Sequence, residues 1–274
     1  MQAILAELKS NPRAPVIAAS CNSSDHGDQL PLALQNYASA LEHDPVGECR
    51  DIVSACRSSG QRRNRLRNVI EEGNKNNYWR GKLPDGKMVL PVVQLLRDCP
   101  TRWSSTFKMV DRVLLLNPVC THINSIMVHA ANSDWPKAIQ SFLLETQNTD
   151  ISHLSMDAKD ADVLRDIHQI IEIPHTAQEL LSSERTPTLS MALPAYELLV
   201  SKWTQLQSTI WELSHYIGIG LNKLRQYINE GRRTRIYALS MSMFSFIPSK
   251  NLTPTDFVGR KRSCQPKHQT GVVE

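Results

Sequence analysis

The apolar residues Val163, Leu164, Ile167, Ile170 and Ile171 recur at the spacing that gathers side chains on one face of an α-helix. The stripe continues through Ala177, Leu180 and Leu181, across Pro174. The pattern therefore predicts one long helix that starts near Asp157 and is kinked at the proline. A second stripe, Leu198, Leu199, Trp203, Leu206, Ile210 and Leu213, lies within a helical pattern over residues 193–221, which Gly218 and Gly220 weaken. Stripes of this kind must be buried against other elements, and the chain offers no broad sheet. Only residues 89–96, rich in β-branched residues and leucine, read as a strand, and Pro91 makes it short or an edge. The expected fold class is mainly α, with helices packed on one another.

Local signals place the other elements. Ile4, Leu5 and Leu8 share a face of a short first helix, and residues 32–41 read as another. Asp44-Pro45 has the form of an N-cap followed by proline at the first helical position, and Ile52, Val53 and Cys56 continue that helix. After Gly60 comes a basic helix with Leu66, Val69 and Ile70 inward, ended by Gly73. Ser104 or Ser105 is expected to cap a helix that buries Phe107, Val110, Leu114 and Leu115 and stalls at Asn117-Pro118. Residues 119–130 read as a further helix, and Trp135-Pro136 opens one with Ile139, Phe142 and Leu143 inward. Thr186-Pro187 marks a loop, and Leu221, Leu224, Tyr227 and Ile228 carry a last helix to Gly231. Trp135, Trp203 and Trp211 fall on apolar faces and are expected in the core.

Composition limits the function classes. The chain has 274 residues, 41% of them hydrophobic, so a core is within reach and global disorder is not expected. The net charge of +4 is too small to demand a nucleic-acid partner, but its distribution is uneven. Residues 50–67 hold six arginines and one acid, a local charge of +5; residues 141–184 hold nine acids and two bases, a charge of −7. This implies two surfaces with different partners, or one charged seam between them. The six cysteines include no C-x-x-C pair, so no structural zinc site is expected, and no metal ligand is assigned. Residues 1–8 lack the features of a signal peptide and no stretch has the length of a membrane span, which points to reduced thiols and no membrane partner. There is no G-x-S-x-G and no glycine-rich phosphate loop, and no small-molecule substrate is expected.

The most informative run is L-L-R-D-C-P-T-R-W-S-S-T, residues 95–106. It sets Arg102, a planar charged fork suited to phosphate, beside Trp103, a flat face on which a base can stack. The alternative is a core tryptophan with a capping neighbour. Arg62, Arg63, Arg65 and Arg67, close together on one helix, are the other phosphate-binding candidates; the alternative is an ordinary exposed face. Asp98, the acid nearest the Arg102-Trp103 pair, is expected to cap the next helix or to pair with Arg102. Asp157, Asp160, Asp162 and Asp166 have mixed spacings and read as a solvated face. Arg232, Arg233 and Arg235 read as charges at a helix end, and Arg260-Lys261-Arg262 as a short nuclear-localisation-like run.

Two segments resemble the hAT superfamily of DNA transposases, in fungal-like members. Residues 95–116 look like the family's D-x-x-T-R-W-S-S-T block followed by an apolar helix, and residues 175–199 are similar to its L-S…P-T-L…P…L block. Residues 44–70 resemble the helix that precedes the first block, and residues 220–227 are a weaker echo; the likeness covers roughly residues 1–240. The resemblance implies a ribonuclease-H-like α/β core interrupted by an all-helical insertion. It also implies three acids holding Mg²⁺ for two-metal strand cleavage. The family's tryptophan of this block steadies flipped DNA, a role that falls here to Trp103, with Arg102 beside it.

None of the three catalytic acids, nor the family's Cys-x-x-His signature, aligns with a residue of this sequence. The expectation is therefore a catalytically incompetent, truncated hAT-derived protein, not an enzyme and without its own cofactor, that keeps contact with DNA in the nucleus. A self-associating helical module and a non-functional transposon relic are the alternatives. Residues 1–98 are expected to hold a remnant of the ribonuclease-H-like core with a basic helical segment. Residues 99–245 are expected to form the helical insertion-type domain, and residues 246–274 a disordered basic tail.

Overall fold

The computed structural model describes residues 1–14, 32–79, 89–99, 102, 104–117, 138–182 and 189–234. These form α1 (Gln2–Ser10), α2 (Leu32–Glu42), α3 (Pro45–Cys56), α4 (Gly60–Lys75), α5 (Ser105–Leu116), α6 (Ala138–Leu143), α7 (Ala158–Leu181), α8 (Leu189–Thr209) and α9 (Ser214–Arg232), with short 3₁₀ turns between some of them. No strand occurs among the described residues, so the mainly α expectation holds there. Trp103, Trp135, Arg235, Thr186-Pro187, the helix expected over residues 119–130, and the tail with Arg260-Lys261-Arg262 lie outside them.

The helix starts follow the local signals. Asp44 caps α3, its side chain accepting from the Gly47 amide at 3.0 Å, with Pro45 as the first helical residue. Asp157 caps α7 by accepting from the Ala158 amide. The long stripe does what its period requires: Val163, Leu164, Ile167, Ile170 and Ile171 are all buried. Each such aliphatic side chain contributes about 1.5–3 kcal/mol on burial. Helix α7 is central, packing against α2, α3, α5 and α8. Helices α8 and α9 pack on each other, α1 lies on α9, and α4 packs on α3 and α6. One hydrophobic cluster runs from Ile4 to Ile228, so elements on both sides of residue 98 share a core.

Helix α7 runs through Pro174 without a break. Proline has no amide hydrogen, so the carbonyl one turn earlier, that of Ile170, loses its helical donor. The indole Nε1 of buried Trp203 on α8 donates to that carbonyl at 2.9 Å. Trp203 in turn lies against Gly220 of α9, where an added Cβ would stand 2.8 Å from the ring and 2.6 Å from Ile4 Cδ1. Gly220 is therefore a point of close approach for three helices, α1, α8 and α9, rather than a weak spot. Gly73 plays a similar part, since a Cβ there would collide with the buried Trp79 ring.

Four expectations are corrected. The helix that Gly73 was to end continues to Lys75, because the glycine is needed for packing inside it. The long pattern over residues 193–221 breaks at the 3₁₀ turn Trp211–Leu213, not at the glycines. Trp211 is 48% exposed on that turn, whereas Trp203 is core as expected. Residues 89–99 are extended but form no ladder.

Replacing Trp203 with Phe should leave the Ile170 carbonyl without a donor and cost about 1–3 kcal/mol in urea unfolding. Adding Pro174→Ala, which restores an amide hydrogen one turn on, should recover part of that loss. A double-mutant cycle with no coupling would contradict this account.

Candidate nucleic-acid interface

Residues 89–99 form a strap whose backbone is held by side chains instead of a neighbouring strand. The Asn74 amide pairs with both polar groups of Leu90: its Oδ1 accepts from the Leu90 amide at 2.8 Å and its Nδ2 donates to the Leu90 carbonyl at 2.9 Å. Arg57 donates to the Leu95 carbonyl and Arg112 to that of Gln94. Pro91 supplies no donor, which removes one rung from any ladder. Leu90 and Leu95 are buried beneath the strap, while Val89 and Val92 face out.

The strap runs antiparallel to α3: Arg57, late in the helix, meets Leu95, and Arg50, earlier, meets Asp98. The two spacings match, since seven helical residues and three extended ones each span about 10 Å. Asp98 is the strap's anchor. Its side chain is 7% exposed. It accepts from Arg50 Nε at 2.8 Å, from Ser105 Oγ at 2.6 Å and from Thr106 Oγ1 at 3.0 Å. Ser105 Oγ also accepts from the Cys99 amide at 2.9 Å. Asp98 thus holds the start of α5 through the Ser105 and Thr106 hydroxyls rather than as a backbone cap, and its arginine partner is Arg50 rather than Arg102. Arg102 closes a turn, its amide donating to the Cys99 carbonyl at 2.9 Å, and its side chain is exposed.

The arginines of α4 have different fates. Arg62 pairs with Asp150 at 2.5 Å, Arg65 with Glu145 at 2.6 Å and Glu72 at 3.2 Å, and Arg67 with Glu71 at 2.8 Å. The basic run and the acidic middle of the chain therefore meet as a seam. Exposed pairs of this kind add only about 0–1 kcal/mol of stability. Their larger effect is to cancel charge that would otherwise face a phosphate. Arg63 has no carboxylate partner among the described residues; its Nε donates to the Ser59 carbonyl at 3.4 Å. Arg57, Arg97, Arg102 and Arg112 likewise make no ion pair among the described residues.

These cations converge on the strap. A groove of about 200 Å³ opens between it and α3–α4, lined by Cys56, Arg57, Arg63, Leu66, Arg67 and Val92. Arg97 lies at its edge, donating to the Arg57 carbonyl at 3.4 Å. Arg57 and Arg97 lie within the basic stretch and the 95–106 run, and Arg112 in the helix that follows; only the strap brings the three together. Asp160 was also misplaced by spacing: it is 4% exposed, not on a solvated face, and Asp166 is partly buried and accepts from Tyr37 Oη at 3.1 Å. Comparison of the chain with protein-family models, with curated proteins and with solved structures finds no match.

Burial alone raises the Asp98 carboxyl, but hydrogen bonds from Ser105, Arg50 and Thr106 outweigh it and hold the group below its ordinary value. The stability it contributes is full above the unfolded value of about 3.9 and is lost as pH falls through the lower folded value. Asp98→Asn should cost about 1–3 kcal/mol at neutral pH. The difference from the parent chain should shrink towards zero in strong acid. Urea unfolding across that range checks it, and a pH-independent gap would contradict it.

Proposed function

We propose that this chain is a hAT-transposase-derived helical protein that contacts nucleic acid along the strap and does not itself cut strands. In this reading, residues 1–98 descend from the ribonuclease-H-like core, and the partner is met in the nucleus. The three metal-holding acids of that family are assigned to no residue here. Support comes from the D-x-x-T-R-W-S-S-T block: its Asp98, Ser105 and Thr106 are joined by hydrogen bonds, and Arg102, next to Trp103 in sequence, is exposed.

The observation that carries the reading is a set of arginines without a carboxylate partner among the described residues: Arg57 and Arg63 line the groove, Arg97 reaches the Arg57 carbonyl, and Arg102 follows the strap. Arg57, Arg63, Arg97 and Arg102 can neutralise phosphates in succession, and release of counterions supplies the affinity. Trp103, next to Arg102 in sequence, offers the stacking face for a displaced base. Arg62 and Arg65 contribute less than a run of four arginines implies, because Asp150 and Glu145 already hold them.

Fluorescence anisotropy with hairpin DNA over a salt series tests this. Arg63→Gln and Arg102→Gln should each weaken binding and lower the slope of log K against log salt by about one. The paired change Arg62→Gln with Asp150→Asn should leave the slope alone. Trp103→Ala should abolish the preference for hairpin over plain duplex. Absence of salt-dependent binding, or equal effects of the paired and unpaired arginines, would refute the proposal.

A further inference from the structure

Away from the strap, the corner between α2 and α3 meets the first turn of α7. His43 stands in the corner, Glu48 lies in the first turn of α3, and Asp160 in the first turn of α7. One ligand-type atom from each lies within 4.8 Å of the other two. His43 and Asp160 are 117 positions apart, yet His43 Nδ1 is 3.2 Å from Asp160 Oδ1. The Asp160 side chain is 6% exposed and that of His43 57%, so the cluster has a buried floor and an open side.

Glu48 provides a separate observation. Its Oε2 is wholly buried and has no hydrogen-bond partner. A carboxylate oxygen cut off from both water and donors is costly and calls for a positive partner. Asp160 sets a second carboxylate beside it, and Lys9 is engaged with Asp44 at 3.6 Å.

We propose that His43, Glu48 and Asp160 form a binding site for one divalent first-row cation of the zinc or cobalt type. Ligands about 2.0–2.1 Å from a tetrahedral zinc lie roughly 3.3 Å apart, close to the imidazole–carboxylate separation found here. One imidazole with two carboxylates is a mixed nitrogen and oxygen set. It favours such ions over Mg²⁺ and Ca²⁺, which prefer oxygen alone. Three protein ligands leave the fourth position for water on the exposed His43 side. The backbone is already fixed: Asp44, in the left-handed region at φ 51°, caps α3 between His43 and Glu48, and Asp157 caps the helix that carries Asp160. The ion clamps the α2–α3 corner to the start of α7.

The test uses the full chain freed of metal, with Zn²⁺ followed by calorimetry and Co²⁺ by visible absorption. One ion per chain is expected, with Zn²⁺ raising the unfolding temperature and Mg²⁺ leaving it unchanged. His43→Gln, at a largely exposed side chain, and the near-isosteric Glu48→Gln should each weaken Zn²⁺ binding by roughly tenfold or more. Asp160→Asn should do the same. Binding that is undiminished in His43→Gln and Glu48→Gln places the ion elsewhere and overturns the proposal. No Zn²⁺-dependent shift in the parent chain, or an equal shift with Mg²⁺, overturns it too.

Discussion

A proline in the middle of the longest helix leaves one carbonyl without a donor, and the arrangement of this bundle turns on how that carbonyl is satisfied. The indole of Trp203 reaches it, which brings α8 into register with α7. Gly220 then lets α9 come up against the same ring, with Ile4 of α1 on the other side. A buried unsatisfied carbonyl costs about 1–3 kcal/mol, comparable with burying a leucine, so a single hydrogen bond here rivals a core side chain in weight. It differs in being directional: apolar contacts tolerate sliding, and this one does not.

Periodic features were legible in the sequence. The stripes of α7 and α8, the Asp44-Pro45 start and the Asp157 start are local patterns, and they appear where local rules put them. Features that rest on distant partners were not. Gly73 and Gly220 look like helix weakeners until Trp79, Trp203 and Ile4 are seen beside them. Residues 89–96 have the composition of a strand, but the amide of Asn74 and the guanidinium groups of Arg57 and Arg112 take the place of the missing neighbour. No window of sequence around the strap contains all of those partners.

The same division governs the site. Charge counting found a basic stretch and an acidic one, and left open whether they form two surfaces or a seam. The fold makes them a seam, with Arg62 and Arg65 reaching acids 88 and 80 positions away. The Arg102-Trp103 pair was visible as residues, whereas the Asp98 anchor needed the distant Arg50 as well. His43, Glu48 and Asp160 illustrate the limit of spacing rules: a mixed ligand set drawn from two helices and a corner has no motif.

A strap fastened by Arg57 at one point and through Asp98 at another behaves as a ruler laid against α3. Its span is commensurate with two turns of that helix. Side chains along the strap can be exchanged, but its length cannot change. One residue added or removed between the fastenings shifts the second by about 3.3 Å and inverts which side chains face the core. Variation in this stretch is thereby confined to exchange of residues, with insertion and deletion closed off.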